Sequence, residues 1–349
     1  MEILQVCSTY LPSNDGIAEY VRNISERLAK YHDVTVFTAD HSQELPSREE
    51  INGVLVRRFK SFRPNNAYHL SFDMIKALKE CKVDVIHGHN YHAFPLHFCR
   101  FATIRKRFLV NAHYHGHGHS IIRDLIIRHS KCYGRRFLRN ADHILAISNC
   151  ERALLVRDFT LSEGKITVIP GATRLSDFDD LHHIHRDARS ILYVGRLEKY
   201  KGVQHIIKVL PLLSDDYTLR IVGEGVYEPK LRQLVHQFGL DKRVFFYKNL
   251  PRIELLNMYA SAGLLLLLSK YEAFSLVVAE ALASRTPCIV ANTSALTEWI
   301  DNRNCYGVDY PVDYQRLANL IGKASSVEVK NVKIRDWDDV VAELITMYG

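Results

Sequence analysis

The chain has 349 residues, 47% of them apolar and 24% charged, with a net charge of +7. That length exceeds one ordinary core and points to two domains, and no apolar run reaches the roughly 18–20 residues of a membrane-spanning helix. Met1-Glu2-Ile3-Leu4 puts an acid where a secretory signal has bases, and seven scattered cysteines without a CxxC pair argue against a zinc finger or disulfide framework, so a reducing, cytoplasmic setting is expected.

Along the chain, short β-rich runs alternate with helical patterns, which predicts right-handed parallel βαβ units. Strands are expected near residues 2–7, 33–38, 54–59, 83–87, 108–112, 144–148 and 167–170. The clearest helix spans 17–30, with Ile17, Tyr20, Val21, Ile24 and Leu28 on one stripe. Between the first strand and this helix lies Pro12-Ser13-Asn14-Asp15-Gly16. Gly16 would let the backbone approach a ligand closely, although a plain βα turn explains it equally well.

Charge is uneven. Residues 51–150 hold 17 Lys and Arg against 5 Asp and Glu, a net of +12, while the rest of the chain nets −5. This asymmetry predicts an anionic partner for the first half. Residues 100–139 interleave Arg105, Lys106, Arg107, Arg123, Arg128, Lys131, Arg135, Arg136 and Arg139 with Ile121, Ile122, Leu125, Ile126, Ile127, Phe137 and Leu138. That pattern reads as a basic amphipathic surface suited to anionic lipid rather than nucleic acid, with a merely solvated basic face as the plain alternative. The run Asn111-Ala-His113-Tyr-His115-Gly-His117-Gly-His119, with His87 and His89 on an earlier strand end, resembles a metal site. No carboxylate or cysteine in the run completes a ligand set, so polar contact to a sugar or acceptor at a strand's C-terminal end is favoured.

Residues 175–189 are polar and precede a fresh strand, placing the domain boundary near 185: an N-terminal domain at 1–185, a second at 186–335 and a last helix at 336–349. Strands follow near 190–195, 218–222, 244–247, 263–268 and 287–291, several of them apolar without alternation, as in sheets covered on both faces. The strings Asp177-Phe-Asp179 and Asp336-Trp-Asp338 match the DxD of metal-using transferases but stand in the break and at a helix start, so coincidence is the better reading.

Two segments of the second half could carry chemistry. Val194-Gly195-Arg196 to Lys201-Gly202 puts two cations in the loop after a strand, well placed for a diphosphate, with plain surface charge as the alternative. Ser269 to Glu280 follows a buried strand and opens a helix whose first N–H groups, around 273–276, can hold a phosphate. Glu280 sits on a helix that is apolar nearly all round. It is costly there unless bonded, either to sugar hydroxyls or to a local partner.

In order, Val194-Gly-Arg-Leu197, Lys201-Gly202, Ile221-Val-Gly-Glu-Gly225, Leu268-Ser269, Glu272 with Glu280 eight residues on, and Thr286-Pro287 resemble the large family of retaining glycosyltransferases with the GT-B fold. That family includes phosphatidylinositol mannosyltransferases and sucrose synthases. The resemblance implies an α/β protein of two Rossmann-like, doubly wound parallel sheets facing across a cleft. The first would bind acceptor and the second nucleotide-sugar, with the last helix crossing back to the first. It implies that Arg196 and Lys201 bind the donor diphosphate, and that Glu272 contacts the hexose, helped by the N–H groups of Ala273, Phe274 and Ser275. It also implies that Glu280 holds the ribose hydroxyls, that Gly16 lies near the diphosphate, and that His113 or His115, the latter preferred, faces the reacting sugar.

No cofactor and no metal are implied. The resemblance implies a UDP- or GDP-linked donor and a lipid-linked or glycan acceptor. The sequence departs from the family pattern at Ser284-Arg285-Thr-Pro, at Ser294-Ala295 before Glu298, at Val244 to Tyr247 and at Pro170-Gly171-Ala172. The rivals are a nucleotide-sugar epimerase and a non-catalytic sugar-nucleotide-binding subunit. A nicotinamide dehydrogenase is remote, because no GxGxxG follows a strand.

Overall fold

The computed structural model describes residues 1–13, 15–65, 68–102, 104–116 and 131–349. It divides into a first unit, Met1–Gly171 with Trp337–Gly349, and a second, Ala172–Asp336.

In the first unit the strands are β1 (Glu2–Val6), β2 (Asp33–Asp40), β3 (Arg48–Ile51), β4 (Val54–Lys60), a separate ribbon of β5 (Phe62–Asn65) and β6 (Tyr68–Leu70), then β7 (Lys82–His89), β8 (Ile104–Asn111), β9 (His143–Ala146) and β10 (Ile166–Val168). Apart from the ribbon they form one sheet in the order β10-β9-β8-β7-β1-β2-β4-β3. All its pairs are parallel except β3 with β4. That hairpin, absent from the alternation expected above, turns on Asn52-Gly53, whose φ values of 50° and 78° are what a two-residue hairpin with the sheet's twist requires.

Apolar residues of the central strands, among them Leu4, Val6, Ile86, Phe108, Val110 and Ile144, form the core. The helix Gly16–Leu28 buries Ala18, Tyr20, Val21, Ile24 and Leu28. The last helix, Trp337–Tyr348, buries Trp337, Val340, Val341, Leu344 and Tyr348 and joins this unit, with Asp338 paired to Arg27 at 2.7 Å.

The second unit begins earlier than residue 185. A nine-residue 3₁₀ helix at Leu175–His183 lays Phe178 and Leu181 against Leu256 and Ala260 of the helix Arg252–Ser261. Two apolar anchors outweigh the polarity of the segment, so the division falls at Gly171/Ala172. The strands β11 (Asp187–Val194), β12 (Thr218–Val222), β13 (Val244–Tyr247), β14 (Ala262–Leu267), β15 (Cys288–Ala291) and β16 (Cys305–Val308) are parallel, in the order β13-β12-β11-β14-β15-β16. Every residue of β14 is buried, as its unbroken apolar run requires.

Each sheet reverses its winding once, between β1 and β7 and between β11 and β14. Ligands of open α/β sheets bind at the carboxyl ends of strands flanking such a point. Among the described residues no helix is long and apolar enough to cross a membrane.

Candidate functional site

The loops after β11 and β14 carry Arg196, Lys201 and Glu272, the charged candidates of the second unit. Gly195 N donates to Val222 O at 3.0 Å and Leu197 N to Glu224 O at 2.8 Å, so the loops after β11 and β12 are zipped together. A Cβ on Gly223, whose φ is 139°, would stand 2.0 Å from Gly195 O; only glycine fits there. The chain then turns at Lys199–Lys201 into the helix Val203–Val209. Arg196 is exposed, with Nη2 3.4 Å from the Tyr200 hydroxyl. Lys201 Nζ reaches Glu272 Oε1 at 2.7 Å, and both side chains are about 15% exposed, at 14% and 15%. The fold thus brings together Lys201 and Glu272, which lie 71 residues apart.

Glu272 begins a tight bend. Its N–H donates to Ser294 Oγ at 3.0 Å and its carbonyl accepts from Ala295 N at 3.3 Å. Phe274 O accepts from the Trp299 indole at 3.0 Å. Ser275 takes a φ of 98° and caps the helix Leu276–Ala283 by accepting from Val278 N. Non-glycine residues are rare in that conformation and concentrate at functional sites. The N–H groups of Ala273, Phe274 and Ser275 donate to no group among the described residues. They are the helix-start donors that an anion can take up.

Glu280 has a local partner: Arg252 Nη1 lies 2.5 Å from its Oε1, and the same guanidinium reaches Asp177 Oδ2 at 3.1 Å. The two carboxylates raise the Arg252 pKa against a burial that lowers it. Asp177 therefore has a structural task, and so has Asp336, whose Oδ2 accepts from Leu175 N at 2.9 Å. Sequence reasoning missed Arg252 and Ser294; the first sits 28 residues from Glu280 with no motif to flag it.

The first unit is different in chemistry. Asp15 caps the helix Gly16–Leu28, its Oδ1 accepting from Ile17 N at 3.0 Å and Ala18 N at 3.1 Å. Gly16 has open space where a side chain would project, but a carboxylate already fills the helix start beside it.

At the ends of β7 and β8, His87, His89 and Asn111 are fully buried and His113 nearly so. His113 has a φ of 48° and packs edge-on against Tyr20, with ring centroids 5.3 Å apart. Its Nε2 is buried and meets no hydrogen-bond partner among the described residues. Burial pulls the His113 pKa down to about 4 and that of His87 to about 3, and holds His89 well below 6.5, so all three imidazoles are neutral near pH 7. His115 is half-buried and stacks on His92 at 4.7 Å. His117 and His119 lie outside the described residues. Among those described, no three His, Cys, Asp or Glu side chains are grouped as a metal site would need.

The basic stretch is only partly described: Ile121, Ile122, Arg123, Leu125, Ile126, Ile127 and Arg128 fall outside. Phe137 and Leu138, expected on its lipid-facing side, are core residues at 4% and 0% exposure. They belong to the same core cluster as Phe108 and Val110 of β8, with the Phe137 and Phe108 rings 6.0 Å apart. Lys106 pairs with Asp84 at 2.7 Å and Lys131 with Asp158 at 3.2 Å.

Comparison with known proteins follows the same division. Residues 178–335 match the family model "Glycosyl transferases group 1", and residues 14–176 match "Glycosyltransferase Family 4". An uncharacterised glycosyltransferase of Methanocaldococcus jannaschii is 25% identical over 100% of this chain and 98% of its own length. Sucrose-phosphate synthase from Thermosynechococcus elongatus superposes with a TM-score of 0.80 at 21% identity, covering 99% of this chain and 98% of that one. HepE of Anabaena, solved with UDP and glucose, gives 0.77 at 16% identity over 99% of each chain. With two Rossmann-like units, matches to one family over each, and the Arg196, Lys201 and Glu272 loops at the second sheet's switch point, the chain is a GT-B-fold protein and belongs to the group 1 glycosyltransferases.

Proposed function

We propose that the protein is a retaining hexosyltransferase that takes its sugar from a UDP- or GDP-linked donor and passes it to the hydroxyl of a lipid-linked or glycan acceptor. The observation that carries this reading is the grouping, at the ends of β11 and β14, of two cations, three undonated N–H groups and a carboxylate. Arg196, Lys201 and the N–H groups of Ala273 to Ser275 neutralise the diphosphate as it leaves. Glu272 accepts from hexose hydroxyls. Glu280 holds the ribose while Arg252 fixes its rotamer. In the first unit His113, the more buried of the two candidates and held left-handed, serves the reacting sugar, with the half-buried His115 as the alternative.

The acceptor oxygen bonds to the anomeric carbon on the face from which the diphosphate departs, and a diphosphate oxygen takes the acceptor's proton, so configuration is kept. Since protein cations supply the charge, the reaction needs no metal. HepE's solved complex with UDP and glucose is consistent with such a donor. The basic half of the chain is suited to the anionic membrane face on the cytoplasmic side, where a lipid-linked acceptor would be met. Flotation with anionic but not neutral vesicles at low salt tests that contact.

The test of the whole reading is a thermal-shift screen against UDP- and GDP-hexoses in EDTA, followed by NMR of the product's anomeric proton. A bound donor raises the melting temperature by mass action. An inverted product, or turnover restored only by manganese, overturns the mechanism. Free nucleotide released without any acceptor while the sugar is isomerised would mean an epimerase.

A further inference from the structure

Behind His113 runs a buried polar chain that ends on the last helix. Gln5, His87, His89 and Asn111 are fully buried and Tyr348 is 3% exposed. Burying so many polar groups is costly unless they are bonded; among these side chains only His89 Nδ1 meets no partner among the described residues, and the bonds have one sense. Asn111 Nδ2 donates to Leu145 O at 3.3 Å, which leaves Asn111 Oδ1 to accept from His87 Nε2 at 2.7 Å. His87 Nδ1 then carries no proton and accepts from the Tyr348 hydroxyl at 2.7 Å. Tyr348 in turn accepts from Gln5 Nε2 at 3.2 Å, so Gln5 Oε1 accepts from His89 Nε2 at 2.8 Å. One backbone carbonyl thereby fixes both histidines as Nε2–H tautomers.

Asn111 is two residues before His113. On the other side, Glu151 accepts from Tyr114 N at 2.6 Å with one oxygen and from Ile147 N at 2.7 Å with the other. His113 lies between these two anchors with a φ of 48°. A left-handed residue that is not glycine persists only where its surroundings over-determine it. The anchors on either side are what supply that constraint.

We propose that Tyr348 and Glu151 are positioning residues: they clamp the backbone on both sides of His113 and so hold its imidazole in the strained conformation that its role requires. The role of His113 rests on the reading above, while the clamp itself does not depend on it. Tyr348 acts at a distance through His87 and Asn111, and Glu151 acts directly on Tyr114. The last helix is then part of the site's framework as well as of its packing.

The experiment uses the full-length chain with histidine labelled in ¹³C and ¹⁵N. Long-range ¹H–¹⁵N spectra should show His87 and His89 as Nε2–H tautomers. The His113 Cα shift should report the left-handed backbone. Tyr348→Phe keeps the ring but removes the donor to His87, and Glu151→Gln keeps the volume but turns one of the two accepting oxygens into an NH2 that cannot accept an N–H. Each should move the His113 Cα shift toward extended values. Each should also lower turnover of whichever of UDP-glucose and GDP-mannose binds by about tenfold, with affinity for the free nucleotide unchanged. An Nδ1–H tautomer at His87, or an unmoved His113 shift in both variants, overturns the clamp. Moved shifts with unchanged turnover would leave the clamp standing and sink the role of His113.

Discussion

The two units hold their candidate residues by opposite means. In the second unit the candidate side chains stand in salt bridges: Lys201 with Glu272, Glu280 with Arg252. In the first unit the corresponding strand ends carry neutral imidazoles cut off from water, two of which, His89 and His113, have a buried nitrogen that meets no partner among the described residues. Paired ions at a part-buried loop can exchange partners when an anion arrives. Buried neutral rings can only be fixed in place by hydrogen bonds. Under the proposed function, the charged set suits a donor that brings its own charge.

The largest effect should come from emptying the charged side. Arg196→Ala with Lys201→Ala should lower turnover at least a thousandfold, about 4 kcal/mol of lost charge stabilisation, with the fold intact. Circular dichroism checks the fold and steady-state kinetics the rate. A double variant that keeps a tenth of wild-type turnover would place the diphosphate elsewhere.

The neutral side should be exposed by acid. The folded pKa of His87, about 3, and of His113, about 4, lie below the ordinary value of 6.5. The native state therefore binds fewer protons than the unfolded chain between those values and 6.5. Stability from these groups is full above pH 6.5 and is lost as pH falls. From pH 7 to pH 5 each such imidazole should cost about 2 kcal/mol. Glu151 has the opposite sign: burial raises its carboxyl from 4.5 to about 7, so its contribution is full below 4.5 and lost as pH rises toward 7. With His89 also depressed, three imidazoles outweigh one carboxyl, and the melting temperature should fall from pH 7 to pH 5. A flat profile, or an unchanged slope in His87→Asn, would mean the rings are not desolvated as described.

What could be read from sequence follows from where partners lie. The alternation of apolar strands and helices was legible because each strand's burial is local; β14, buried at every residue, announces itself. So were the loops around Arg196 and Glu272, since their order and spacing repeat in a family. The β3–β4 hairpin was legible too, through Asn52-Gly53, but the even alternation hid it. The network behind His113 was not, because Gln5 and Tyr348 stand 343 residues apart, and the facing of Phe137 and Leu138 depends on which side of their helix meets β8.

A smaller effect separates the two glutamates. Glu280→Ala removes charge-assisted bonds to the ribose and should raise the donor KM about tenfold, a little under the 1.5–3 kcal/mol of such bonds. Glu272→Gln should lower kcat and weaken discrimination between hexoses. Because it also releases Lys201, it should tighten free UDP or GDP about threefold, in the range of a part-exposed ion pair. Calorimetry with the free nucleotide reads both. If Glu272→Gln weakens nucleotide binding and Glu280→Ala leaves the KM unchanged, the donor lies the other way round.

The smallest effect compares two left-handed residues, one in each unit. Arg285 has a φ of 61° and follows the helix Leu276–Ala283. Thr286 N donates to Ala281 O at 2.8 Å and Arg285 N to Leu282 O at 3.0 Å, the pair of bonds that closes a helix at a residue normally glycine. Its side chain is exposed and no bond to it is needed for the turn. The strain of a left-handed residue, roughly 1–2 kcal/mol, is relieved by glycine, while the freer unfolded chain takes back about 0.4–1 kcal/mol. Arg285→Gly should thus stabilise the protein by about 0.5 kcal/mol and leave turnover unchanged. His113 has the same backbone sign, but its ring is needed, so His113→Gly should lose turnover whatever it does to stability. Denaturant midpoints and kinetics on the two variants decide. If Arg285→Gly lowered turnover as His113→Gly does, the strain at the end of this helix would belong to the site as well.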